Sequence, residues 1–156
     1  MSQTGLSEFD SAVHKTNVWL KDLMAHMGWR DRHRAYSALR AVLHALRDHL
    51  TVDEAVALGA QLPMLVRGFY YEGWKPADKP LKQRKQEAFV SQIAESLRDD
   101  NSDLIARAVF QVLTNHLSIG EVEGIRHCLP KEIRELWPET QQTAEATSFE
   151  PKTMDD

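Results

Sequence analysis

His49 and His116 stand 67 residues apart, and each is followed five positions later by a glutamate, Glu54 and Glu121. Two imidazoles and two carboxylates in matching register could hold a divalent cation if the fold brought them together. The rest of the pattern argues against a metal. No His-x-x-x-His or Glu-x-x-His spacing occurs among the seven histidines, so these two familiar ligand spacings are missing. His49 and His116 each fall in the last turn of an expected helix, where a protonated imidazole favours the negative end of the dipole. No metal and no cofactor is expected.

Other chemistries leave equally little trace. The single cysteine, Cys128, comes three residues after Ile125 and just before Leu129, which reads as a small buried hydrophobe rather than a nucleophile. There is no Gly-x-Ser-x-Gly elbow, and the seven glycines never gather into a phosphate-binding loop. No catalytic residue is assigned. The distinctive stretch is RGFYYEGWKPADKP, residues 67–80. Its Arg67, Tyr70, Tyr71 and Trp74 are the candidate ligand- or partner-binding residues, because aromatics beside a cation can line a pocket or anchor a partner. The competing expectation is that these rings close the core and pack the linker. Two basic strings, WRDRHRAYSALR (29–40) and KPLKQRKQ (79–86), could face nucleic acid, although solvated helix starts give similar strings.

These side chains need elements to position them, and an internal repeat shows what the elements are. Residues 40–70 align without a gap on 107–137, and ten of the 31 positions are identical. Leu39, Val42, Leu46 and Leu50 recur at helical spacing, as do Ile105, Val109, Leu113 and His116. Next come Thr51-x-x-Glu54 and Ser118-x-x-Glu121, the capping-box pattern that starts a helix. Those helices run to QLP and CLP, and each proline suits the first turn of a short fourth helix. Leading helices are expected over residues 7–27, with Gly28 as the left-handed terminator, and over residues 81–97. The join from leading to second helix is expected to be about three residues longer in the first copy.

The fold class is therefore all-α: about eight helices in two pseudo-symmetric four-helix repeats forming one bundle. Repeat one covers about 6–74 and repeat two about 80–138, with the acidic stretch 139–156 expected to be a disordered tail. An apolar fraction of 42% suits a globular chain, and a net charge of −4 disfavours nucleic acid and anionic lipid as partners. With one cysteine and no long apolar run, a cytoplasmic location and no membrane are expected.

The string HLTVDEAVALGAQLPMLVRGFYYEGWKPADKP, together with LPKEIRELWP, resembles the bacterial domain-of-unknown-function family 2267 over roughly residues 6–138. The resemblance implies a helical, internally repeated protein and carries no catalytic residues with it. On the residues themselves, the leading expectation is a non-enzymatic module that binds a protein partner or itself. The alternatives are a small-molecule-binding protein or enzyme using Arg67–Trp74, and nucleic-acid binding through Trp29–Arg40.

Overall fold

The computed structural model describes residues 3–99 and 101–138 of the chain; the expected tail, 139–156, lies outside the described residues. Among those described there are eight helices and no strand: α1 (Ser7–Met27), α2 (Arg32–Asp48), α3 (Val52–Gln61), α4 (Met64–Tyr71), α5 (Gln86–Leu97), α6 (Ser102–His116), α7 (Ile119–Cys128) and α8 (Lys131–Arg134).

The two richest apolar stripes occupy the centre. On α2, Leu39, Val42, Leu43 and Leu46 are buried, and on α6 Ile105, Val109, Val112 and Leu113 are buried. α2 packs on α1, α4, α5 and α6, while α6 packs on α1, α2, α5 and α7. The leading helices thus each touch both central helices, and α3 lies against α7. One continuous core results, closed at its far side by Phe89, Phe110 and Trp137. Phe110 stacks on Trp137 with centroids 4.3 Å apart and planes 11° from parallel.

The junctions follow from local chemistry. At α3, the Glu54 amide donates to Thr51 Oγ1 at 3.2 Å and the Thr51 amide donates to Glu54 Oε1 at 2.9 Å, a complete capping box. At α7, the Glu121 amide donates to Ser118 Oγ at 3.2 Å. Each hydroxyl satisfies a helix-start donor that would otherwise have no partner. Thr51→Ala and Ser118→Ala are each expected to lower the unfolding free energy by about 0.5–2 kcal/mol. Urea denaturation checks this, and parental stability in both variants would remove the caps from the account.

Two boundary expectations are corrected. The fifth helix begins at Gln86, not at residue 81. Leu81 is a lone apolar residue ahead of Lys82, Gln83, Arg84 and Lys85, and its amide is taken by the carbonyl of Asp48 at 2.8 Å. The joins α1–α2 and α5–α6 span 28–31 and 98–101, so neither is longer. Both turn through a left-handed residue, Gly28 at φ 69° and Arg98 at φ 55°, and that conformation is easier for glycine.

Candidate functional site

The aromatic segment is built into the bundle. Tyr70 is fully buried, and its hydroxyl donates to the Ala55 carbonyl at 2.6 Å, tying α4 to the first turn of α3. Burial, with Tyr71 close by, pushes the Tyr70 hydroxyl far above the usual tyrosine range. Tyr71 sits half-buried between Tyr70 and Trp74, at centroid distances of 4.9 and 5.5 Å. Its ring lies so close to Gly59 that any Cβ there would collide with it. Trp74 packs on the core, and its Nε1 is enclosed without a hydrogen-bond partner.

Arg67 closes the end of α3. Its Nε donates to the Gly59 carbonyl at 2.8 Å and its Nη2 to the Leu62 carbonyl at 2.9 Å. Arg134 repeats this at α7, with Nε on Arg126 O at 2.9 Å and Nη2 on Leu129 O at 3.0 Å. In both cases a planar fork satisfies carbonyls that a helix end leaves free. Lysine offers one ammonium and cannot reproduce the fork. Arg67→Lys and Arg134→Lys are each expected to destabilise by about 1 kcal/mol or more, and chemical denaturation of the pair is the check. Parental unfolding in both would show that these carbonyl bonds contribute nothing to stability.

The most deeply buried cation among the described residues is one that sequence reasoning passed over. Arg47 is 4% exposed. Its Nη1 donates to the carbonyls of Tyr70 at 2.8 Å and Glu72 at 2.9 Å, and its Nε pairs with Asp48 at 3.0 Å. Asp48 also accepts from Gln92 Nε2 at 3.1 Å. The available signal was position: Arg47 follows Leu43 by four residues on the core stripe of α2, where an apolar residue is the default.

His49 and His116 do not converge. His49 Nδ1 donates to the Ala45 carbonyl at 2.7 Å, and burial, opposed by that bond, lowers the ring's pKa. A neutral buried imidazole therefore replaces the expected charged helix terminator. His44 behaves alike: burial lowers it against a 2.6 Å bond to the Phe69 carbonyl. His116 instead pairs with Asp22 at 3.0 Å and stacks on Trp19, and Asp22 also meets His26 at 3.3 Å. Among the described residues no three His, Cys, Asp or Glu side chains are placed to hold a metal ion. The basic string Trp29–Arg40 is partly spent on internal contacts. Arg34 lies 4.0 Å over the Trp29 ring and pairs with Asp99 at 2.9 Å, and Arg40 pairs with Glu72 at 3.3 Å. The Asn101 amide and Arg34 hold Asp99 below the usual aspartate range.

Cys128 is exposed, contrary to the buried position expected for it. The core stripe of α7 is Val122, Ile125 and Leu129, and Cys128 lies beside that stripe at the seam with α3. Partial desolvation and the neighbouring Glu54 push its thiol up to about 11. Burial pulls Glu54 upward too, yet bonds from Cys128 and Thr51 hold it below the usual glutamate value.

This seam opens into a groove of about 290 Å³. α3 contributes Glu54, Ala57, Leu58 and Gln61; α7 contributes Glu121, Gly124, Ile125 and Cys128. These are four aligned pairs at the 67-residue offset. Leu58 and Ile125 form the apolar floor, Ala57 and Gly124 leave it open, and the two glutamates flank it. None of the candidate residues Arg67, Tyr70, Tyr71 or Trp74 lines it.

No curated protein matches the chain. A family model described as an uncharacterized conserved protein (DUF2267) matches residues 16–136, from the middle of α1 through α8 to the core residue Leu136. The chain belongs to that family.

Proposed function

We propose that the domain is a non-enzymatic interaction module whose docking face is the groove between α3 and α7. The observation that carries this reading is the groove's composition. It has an apolar floor with two small residues that admit a partner side chain, between carboxylates from both repeats. The complementary occupant is an amphipathic partner segment with basic residues flanking its apolar face. The thiol in the groove supports binding over catalysis, because at about 11 it is protonated near neutral pH and is a weak nucleophile. The cavity beside the Asp22–His116 pair, about 360 Å³, is lined by no serine or cysteine among the described residues.

A model helical peptide of leucine and lysine should give saturable amide shifts confined to α3 and α7. Gly124→Trp fills the groove, and a Cβ at this position meets no atom within 4 Å. The variant should fold normally and weaken the peptide at least tenfold. Shifts spread over the whole surface, or unchanged affinity in Gly124→Trp, would overturn the reading. Self-association in sedimentation that Gly124→Trp abolishes would make the occupant a second copy. A second reading, a small-molecule site at Arg67–Trp74, draws its support from the enclosed and unpartnered Trp74 Nε1.

A further inference from the structure

The second basic string of the sequence, residues 79–86, has a role that the groove does not absorb. It forms one wall of a separate cavity of about 540 Å³, within the size range of small-molecule sites. Lys82 and Arg84 come from this string, His127 from α7, and Lys131 and Arg134 from α8. Among the described residues no aspartate or glutamate lines the cavity. Lys82, Arg84 and Lys131 form no ion pair among the described residues. In a chain of net charge −4 this is a local concentration of uncompensated positive charge.

The walls are held in place. The Leu81 amide is bonded to the Asp48 carbonyl, which anchors the string beside the end of α2. Gln86 fastens its other end to α8, with its amide on Glu132 Oε2 at 3.2 Å and its Nε2 on the Glu132 carbonyl at 2.9 Å.

The second observation is His49, which lines the same cavity and is 4% exposed. Because the Ala45 carbonyl accepts from Nδ1, the neutral ring presents Nε2 as an acceptor. That nitrogen is enclosed and has no hydrogen-bond partner, whereas buried polar atoms ordinarily have one. A ligand that fits must bring negative charge to the basic walls and a hydroxyl donor to His49. We propose that this cavity binds a small phosphate monoester. Its phosphate lies against Lys82, Arg84 and Lys131, and a hydroxyl on its carbon skeleton donates to His49 Nε2. Arginine and lysine together suit a phosphate dianion. The acidic chain as a whole disfavours an extended polyanion at the same place.

The full chain is titrated with glycerol 2-phosphate, inorganic phosphate and sodium chloride at matched ionic strength, while its imidazole and amide nitrogens are followed by NMR. Glycerol 2-phosphate should saturate, move the His49 Nε2 resonance, and bind more tightly than inorganic phosphate. The surface double variant Lys82→Gln, Arg84→Gln should weaken it at least tenfold without moving the unfolding midpoint. His49→Gln should reduce the preference over inorganic phosphate. If His49→Gln fails to fold, the His49 resonance in the parent decides that point. No saturation up to about 10 mM, equal shifts with chloride, or unchanged affinity in the double variant would overturn the proposal. Tighter binding of a single-stranded oligonucleotide, lost in the same double variant, would also overturn it by making the basic wall a nucleic-acid surface.

Discussion

Arg47→Met is expected to lower the unfolding free energy by about 3–5 kcal/mol, the range for removing one partner of a buried, hydrogen-bonded pair. Methionine fills much of the arginine's volume, so the loss comes from the groups left behind rather than from a cavity. The carbonyls of Tyr70 and Glu72 lose their shared donor, and the Asp48 carboxylate loses its cation. Asp48 is itself largely enclosed and keeps only Gln92. The same guanidinium fixes the end of α4 and the start of the linker to α2, so its loss also loosens the path from α4 to α5. Urea denaturation of Arg47→Met beside Arg40→Met separates this from a general charge effect, because Arg40 makes an exposed pair worth about 0–1 kcal/mol. A cost below 1 kcal/mol for Arg47→Met would show that the buried network contributes little.

The second large effect is expected in the aromatic cluster beneath α5 and α6. Phe110 is fully buried, stacked on Trp137 and 6.0 Å from Phe89. Phe110→Ala removes a ring held on two sides and should destabilise by about 3–5 kcal/mol. Trp137 gives little scope for relaxation, because its Nε1 donates to Thr114 Oγ1 at 2.8 Å. The denaturant midpoint should fall with the slope unchanged. Leu104→Ala, on the same helix but 52% exposed, should change stability by less than about 0.5 kcal/mol. Equal costs for the two variants would contradict the placement of Phe110.

Most of the local structure was legible beforehand. The helix starts at Thr51 and Ser118, the proline-led α4 and α8, and the stop at Gly28 each depend on residues within about one turn of one another. Short-range rules therefore suffice for them. Arg67 and Arg134 were readable as a structural pair because the repeat retained both, and their bonds are to carbonyls five and eight residues back. Leu81 misled because spacing alone continued the stripe of α5 backwards, while a hydrogen bond to Asp48, 33 positions earlier, decided the backbone there.

By itself the sequence determined the all-α class, the helix order, the caps and the apolar stripes, since periodicity and capping act over three or four residues. Tertiary structure decided which of its chemically capable side chains meet. It buried Tyr70 and left Cys128 at the surface. It enclosed Arg47, an arginine on an otherwise apolar stripe, and sent His116 to Asp22 and His49 to Ala45. It also placed Lys82 and Arg84 on the wall of a cavity that α8 shares. The physical reason is that a cavity or a buried ion pair depends on the distance between elements far apart in the chain. Packing of the whole core sets that distance, and no spacing along one helix encodes it.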